Sequence, residues 1–370
     1  MSKNTDNLQV IKVITRERPY DVLVGSNLLD QVGMEVRTAV GGDAAFVVTD
    51  TNVGPLYLRR VEQSLTDAGY RTVSITIPAG EQHKRLDTFG TIVEAMAEAG
   101  LTRSSVVVAL GGGVVGDMAG FAAASYMRGI CVVQVPTTLL AMVDSSVGGK
   151  TAIDLDAGKN LVGAFHQPSL VLADVGCLST LHPDVFVDGI GEVVKHAVLA
   201  DADLFDEPTA HPLSQDGDPA YLARIVARNV EIKRNVVAAD ERELGLRQTL
   251  NLGHTIGHAV EAASDFKLGH GHCVAIGLCA VARAAEGLGW CEPGLSTRIE
   301  RCVEAQGLPI DTDLPHETLL SFAVRDKKRR ASHVNLVVAR DIADVGIRSV
   351  SVEKLARVIE LGCASALRRS

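Results

Sequence analysis

The chain has 370 residues, 46% hydrophobic and 22% charged, with a formal net charge of −9. That length allows two domains with sizeable cores, and the acidic balance argues against a nucleic-acid partner, whose phosphates call for a basic surface. No uninterrupted apolar stretch reaches membrane-spanning length, the start is polar, and the seven cysteines show no CxxC pairing, so the expectation is a cytoplasmic protein with reduced core thiols and no membrane partner.

Residues 10–14 and 21–24 alternate as strands ahead of a Gly25-Ser26-Asn27 turn. The β-branched run 44–49 reads as a strand ending in Asp50-Thr51-Asn52, with a helix over 56–68 and a strand over 71–77 after it. A loop bearing Glu81 and Lys84 precedes a helix that reaches Ala99. Residues 106–110 form a wholly apolar strand feeding Gly111-Gly-Gly-Val-Val-Gly116-Asp117 and a small-residue helix to Tyr126, and 132–135 is one more strand. Strands alternating with helices predict a parallel, doubly wound sheet. From about Thr180 helices dominate, over 187–199, 221–237, 250–263, 273–287, 295–305 and 352–366, with a surface loop at 206–219. The reading is an α/β domain over residues 1–179 followed by a mainly α-helical domain over 180–370.

In the first part, the glycines after an apolar strand let backbone approach a pyrophosphate at a helix N-terminus, though tight strand-to-helix turns also use glycine for sterics alone. Asp117 either contacts a ribose or nicotinamide or simply opposes the helix dipole. Asp50 and Asn52 sit where an α/β fold binds ligands, and Glu81 with Lys84 suits adenosine hydroxyls or is a solvated pair. Asp144 to Lys150, then Gly158-Lys159-Asn160, crowd lysines, an Asn and glycines into a non-periodic region suited to phosphate and carboxylate, and Arg128 adds a further cation.

Four histidines lie within nineteen residues, His254, His258, His270 and His272. The first two stack one turn apart on a helix, and a turn over 266–269 with a second helix from Cys273 would bring His270 back beside them. Such pairs are often buried core residues, but four together favour a divalent metal, with Glu192 on an apolar helix as the missing carboxylate and Lys195 one turn later. Lys233 and Arg247 would complete a cationic pocket for a dianionic substrate. The basic run 325–330 is a solvated loop or a segment closing over such a substrate.

Leu110-Gly-Gly-Gly-Val-Val-Gly-Asp117, Val135-Pro-Thr-Thr-Leu-Leu140, Val143-Asp-Ser-Ser-Val-Gly-Gly-Lys-Thr151, Gly158-Lys-Asn-Leu-Val-Gly-Ala-Phe165, Gly191-Glu-Val-Val-Lys195 and Leu250-Asn-Leu-Gly-His-Thr-Ile-Gly-His258 together resemble the 3-dehydroquinate synthases, in order from about Asp21 to about Val338. The resemblance implies a Rossmann-like N-terminal domain, a helical C-terminal domain, and an active site in the cleft between them holding NAD and a divalent metal, zinc or cobalt. It implies conversion of 3-deoxy-D-arabino-heptulosonate 7-phosphate to 3-dehydroquinate and phosphate. The route is transient oxidation by NAD, phosphate elimination, re-reduction and intramolecular aldol closure, in the shikimate pathway and with a homodimer as the usual assembly.

Carried over by motif, the metal ligands are Glu192, His254 and His270. NAD positions are Asp50, Asn52, Glu81, Lys84, Gly113, Val114, Val115, Gly116, Asp117, Thr137, Thr138, Lys150, Lys159, Cys177, Leu178, Ser179 and Thr180. Substrate contacts are Arg128 (across a dimer interface), Asp144, Lys150, Asn160, Lys195, Lys233, Arg247, Asn251 and His258, with Asp144, Lys150, Glu192, Lys195, Lys233 and His258 in catalysis. Two positions depart from the family pattern: His272 stands where Glu is usual, and Ser332-His333 where Gly-Lys is common. His272 is read as a neighbour of the metal rather than a ligand. Competing readings are another sugar phosphate cyclase, such as those making 2-deoxy-scyllo-inosose or epi-valiolone, an alcohol dehydrogenase of the glycerol dehydrogenase type, and a non-catalytic relative.

Overall fold

The structure is a computed structural model, and it describes residues 8–16, 19–243, 245–265, 267–325 and 333–363. Its strands are β1 Gln9–Val13, β2 Tyr20–Gly25, β3 Ala44–Asp50, β4 Arg71–Ile77, β5 Val106–Gly111, β6 Cys131–Pro136, β7 Lys150–Leu155, β8 Gly158–Phe165, β9 Leu170–Asp174, β10 His333–Asp341 and β11 Asp344–Ser351. Its α-helices are α1 Val32–Ala39, α2 Arg59–Asp67, α3 Leu86–Glu98, α4 Gly113–Ser125, α5 Pro183–Ala200, α6 Ala202–Ala210, α7 Pro219–Ala239, α8 His254–Ala263, α9 His270–Gly287, α10 Leu295–Ala305, α11 His316–Arg325 and α12 Val352–Gly362. These divide into two compact units, Met1–Leu181 with Gln215–Glu241, and His182–Ser214 with Arg242–Ser370.

The first unit is built on a seven-stranded sheet in the order β1-β2-β9-β6-β5-β3-β4. Every neighbouring pair is parallel except β1 with β2. The expected parallel sheet is therefore present. The chain passes from β3 out to β4, returns to β5 on the other side of β3, and continues through β6 to β9, so strand order reverses between β3 and β5. Phe46 and Val48 of β3 and Val107 and Ala109 of β5 pack with Ile92 and Met96 of α3 and Val115, Met118 and Ala119 of α4 in one buried cluster. Helix α7 belongs to this unit and packs on β1 and β2. Lys150 and Gly158-Lys159-Asn160, read as non-periodic, instead lie in the antiparallel hairpin β7–β8. Its first strand is buried at its four middle residues and its second is largely exposed, so neither alternates as a strand that is half in and half out of a core would.

The second unit is helical, with one antiparallel hairpin, β10–β11. Ile256 and Val260 of α8, Ile276 and Ala280 of α9, Leu319 of α11, Leu336 of β10 and Leu355 and Ile359 of α12 share a core. Helix α9 is buried on nearly every face, as its small apolar composition requires. It starts at His270 rather than Cys273, so two of the four histidines lie in its first turn. The loop expected at 206–219 is shorter, because α6 runs through Pro208 to Ala210. Gln306 donates to the Pro208 carbonyl there, and a proline that reads as a breaker is held inside the helix. Helix α12 ends at Gly362 rather than 366, and residues 364–370, Phe266, residues 326–330 and Ser332 fall outside the described set. Among the described residues, no helix is long and apolar enough to cross a membrane.

Candidate active site

Glu192 and Lys195 lie one turn apart on α5, and both are almost completely buried, at 0% and 1% exposure. A methyl at Gly191 would lie 2.2 Å from the Gly271 carbonyl oxygen, so α5 and the first turn of α9 meet backbone to backbone. That approach sets Glu192 beside His270. Gly277 does the same on the other flank of α9, where a methyl would lie 2.0 Å from the Gly253 carbonyl oxygen, just before α8 begins at His254. The result is the αα-hairpin expected from the spacing, with His254, His258 and His270 each offering a ring nitrogen within 4.8 Å of the others.

Glu192 Oε1 lies 3.6 Å from Nε2 of His254 and 3.4 Å from Nε2 of His270. Ligands placed tetrahedrally at about 2.0–2.2 Å from a metal are about 3.3–3.6 Å from one another. Both distances from the carboxylate oxygen therefore match the edge of a metal tetrahedron. Among the described residues neither Glu192 oxygen receives a well-formed hydrogen bond, although Lys195 Nζ lies against Oε2 and leaves Oε1 facing the imidazoles. Nδ1 of His254 donates to the Leu252 carbonyl at 3.1 Å, which leaves its Nε2 with a lone pair for a cation. A buried acid and two oriented imidazoles, with His258 exposed beside them, fit a divalent ion that keeps a position open.

The electrostatics of the site follow from the same contacts. Burial alone would push the Glu192 carboxyl up, but Lys195 and the two imidazoles hold it well below the ordinary glutamate range. Burial, then Lys195, hold His254 well below the usual imidazole value. Burial opposes protonation of His270 too, yet Glu192 and Glu261 carry it up to about 10.

In the first unit, the positions expected for a nucleotide gather where the parallel strands end. Asp50 closes β3 and accepts from the backbone N–H of Asn52 and Val53 at 2.8 and 2.9 Å, shaping that turn. Gly111 ends β5, and α4 follows Gly112 without any side-chain cap; the Gly116 N–H donates to the Gly112 carbonyl at 3.0 Å, which leaves the N–H groups of Gly113, Val114 and Val115 to meet an anion. Methyls at Gly112 and Gly113 would lie 3.1 Å from Thr138 Cγ2 and 3.1 Å from Ser145 Oγ, crowding that turn. Thr137, after β6, is 2% exposed, and its hydroxyl makes no hydrogen bond among the described residues. Cys177, Leu178, Ser179 and Thr180 form a tight helical turn after β9. Carboxyl ends flanking a reversal of strand order are where open α/β sheets bind nucleotides, so these residues fit a dinucleotide.

Lys84 ties this edge to the hairpin. Its buried ammonium donates to Asp117 Oδ2 at 2.6 Å and Asn160 Oδ1 at 2.5 Å, while Lys159 pairs with Glu81 at 3.2 Å. Lys233 of α7 donates to Asp144 Oδ1 at 2.8 Å. Lys150 opens β7 and is exposed. Arg128 stands on an exposed turn past the C-terminus of α4, about 20 Å along the helix from Gly113, so the first unit does not bring it to the glycine turn. Met127, Arg128 and Gly129 all have positive φ there, at 49°, 68° and 116°. In the second unit Arg247 is 1% exposed, and Asn251 donates to Glu243 at 3.1 Å.

Family models described as 3-dehydroquinate synthase N-terminal and 3-dehydroquinate synthase C-terminal match residues 74–188 and 189–329. The chain belongs to the 3-dehydroquinate synthase family. A 3-dehydroquinate synthase of Symbiobacterium thermophilum is 48% identical over 87% of this chain and 91% of its own length. One of Citrifermentans bemidjiense is 44% identical over 95% and 96%. The chain is an enzyme of this family, and its activity is 3-dehydroquinate synthesis. Among solved structures, a 2-deoxy-scyllo-inosose synthase with carbaglucose-6-phosphate, NAD+ and Co2+ shares the fold at a TM-score of 0.87 and 24% identity, over 96% of this chain and 100% of that one. A 2-epi-5-epi-valiolone synthase of Streptomyces hygroscopicus with NAD+ and Zn2+ bound aligns at 0.84 and 27%, over 96% and 99%.

In this 3-dehydroquinate synthase, three residues beside the expected positions, one in the first unit and two in the second, have no part in the expectations from sequence. Glu261 contacts His270, Asp188 accepts from both the backbone and the Nδ1 of His272 at 3.0 and 2.8 Å, and Asp154 Oδ1 accepts from the backbone N–H of Asn160 at 2.7 Å. Glu261 alone had a usable signal, a carboxylate two helical turns beyond His254 on the same stripe.

Proposed function

We propose that the second unit holds a divalent ion, zinc or cobalt, on Glu192, His254 and His270, and that the first holds NAD along the carboxyl ends of β3, β5, β6 and β9. With these the enzyme converts 3-deoxy-D-arabino-heptulosonate 7-phosphate to 3-dehydroquinate and phosphate. The observation that carries the reading is the 3.4 and 3.6 Å spacing of Glu192 Oε1 from the two imidazole nitrogens. The valiolone synthase, which carries NAD+ and Zn2+ on the same fold, supports it.

Bound there, the ion supplies Lewis acidity to a substrate hydroxyl, and NAD supplies a hydride acceptor that is restored within each turnover, which makes the enzyme a lyase. The chain's own groups do the rest. Lys195 neutralises Glu192 and, as an ammonium at the same site, would donate a hydrogen bond to the substrate hydroxyl oxygen. Lys233, Lys150, Arg247 and Asn251 bind the anionic ends of the substrate, with Asn160 oriented by Lys84. Asp144, fixed by Lys233, orients the sugar hydroxyls, and His258, exposed beside the ligands, stabilises charge on the departing phosphate. Glu81, Lys84, Asp117 and Lys159 hold the nucleotide together with the turns at Asp50, Asn52, Thr137, Thr138 and residues 177–180. The functional division at 179/180, a homodimer in which Arg128 serves the neighbouring subunit, and a cytoplasmic setting belong to the same proposal.

The test is phosphate release from the heptulosonate phosphate with catalytic NAD, before and after chelation. Turnover should need both and leave no net NADH. Activity that survives full metal removal, or NADH accumulating in step with product, would overturn the reading; the second result would mark a dehydrogenase.

A further inference from the structure

Glu261 of α8 is 6% exposed, and a carboxylate is costly to bury without a partner that holds it. It lies seven residues beyond His254 and three beyond His258, so the three side chains share one stripe of α8. The returning helix α9 places its first residue, His270, over the end of that stripe. Glu261 Oε2 then stands 3.3 Å from Nδ1 of His270, while Nε2 of the same ring faces Glu192 Oε1 at 3.4 Å. His254 has no such partner at Nδ1: its donor goes to the Leu252 carbonyl.

From this geometry we infer that Glu261 is a positioning residue for the metal site: its carboxylate holds His270 by Nδ1–H, fixing the ring plane and the tautomer that presents Nε2 to the ion. A carboxylate behind an imidazole also makes the far nitrogen a stronger donor than a carbonyl does. The two imidazoles are therefore unequal, His270 being the one whose grip depends on a second acid. The inference rests on Glu192, His254 and His270 being the ligands.

The experiment measures Zn2+ affinity by competition with a chromophoric chelator, and the Co2+ absorption spectrum, for the full chain and for Glu261→Gln, Glu261→Leu and Glu192→Gln. Removal of an orienting partner of this kind lowers metal affinity about 10–100-fold, the loss expected for Glu261→Leu, with shifted Co2+ bands of unchanged intensity class. Glu261→Gln, which keeps an acceptor oxygen but not the charge, should fall between Leu and the unaltered chain. A purely structural Glu261 would shift the unfolding midpoint of the metal-free protein and leave the Zn2+ affinity of the folded protein untouched, which overturns the inference. If Glu261→Leu does not fold, Glu261→Gln decides: affinity and spectrum equal to those of the unaltered chain sink the idea. If Glu192→Gln binds Zn2+ like the unaltered chain, the ligand set itself is wrong. If only Glu192→Gln loses binding, the ligand set stands and the role of Glu261 falls.

Discussion

Replacing Glu192 by Gln keeps the side chain's volume and removes one negative charge from a site where Lys195 is 1% exposed. In the metal-free protein this strands the Lys195 ammonium, and breaking a buried pair from one side costs about 3–5 kcal/mol. The acid limb of stability should change as well. The Glu192 carboxyl is held well below its ordinary value of 4.5, so its contribution is complete above about that pH and is lost as pH falls through the lowered value. The Gln variant has no such group, so this share of the loss should vanish from its profile. Adding Lys195→Met removes the stranded charge and should restore most of the stability, since neutral packed side chains replace buried pairs at little cost. It should not restore metal binding, because the anionic oxygen facing His254 and His270 is still gone. Urea unfolding in excess chelator reads the first effect, and chelator competition reads the second. A double variant that regained metal affinity would show that Glu192 matters through Lys195 and not as a ligand. A single variant as stable as the unaltered chain would show that the Lys195 ammonium does not depend on Glu192 for its burial.

Four further outcomes follow from contacts already described. His270 is held up to about 10 without metal, so ion binding must expel a proton, and affinity should fall about tenfold per unit as pH drops from 9 to 7; calorimetry in buffers of different ionisation enthalpy counts the proton, and a pH-independent affinity would contradict this. Lys84→Met deprives Asp117 and Asn160 of a charged hydrogen bond worth about 1.5–3 kcal/mol, so NAD should bind about 10–100-fold more weakly in a titration while Zn2+ affinity is unmoved. Gly191→Ala drives a methyl to 2.2 Å from the Gly271 carbonyl oxygen, and overpacking of that kind costs about 1–3 kcal/mol; denaturation and Zn2+ competition should both show a loss, and neither would if α5 and α9 were free to part. Of the seven cysteines only Cys131 and Cys291 are partly exposed, and burial pushes Cys177 up to about 12, so a thiol reagent at pH 8 should modify the two exposed thiols first and Cys177 only on unfolding.

What could be read in advance divides along a physical line. His254 and His258 declare themselves by helical spacing, and a short turn is enough to return His270 to them, so most of the proposed metal site is a local property of residues 254–270. The nucleotide edge was legible for a related reason: in a parallel sheet the chain leaves every strand at the same edge, so Asp50, Gly111, Thr137 and Cys177 gather wherever their strands are found. Glu261 was missed because a glutamate on a helix reads as surface, and only the return of α9 buries it. Lys233 shows the limit most clearly. The periodicity of α7 says which face is apolar but not which core that face covers, and a helix flanked in sequence by the second unit packs on β1 and β2 of the first. The spacing between Glu192 and His270 was equally hidden, since it depends on two glycines, 191 and 271, far apart in the chain and meaningful only when their backbones meet. Residue type and period report what a segment can do alone; the charges of this site are placed by contacts between segments.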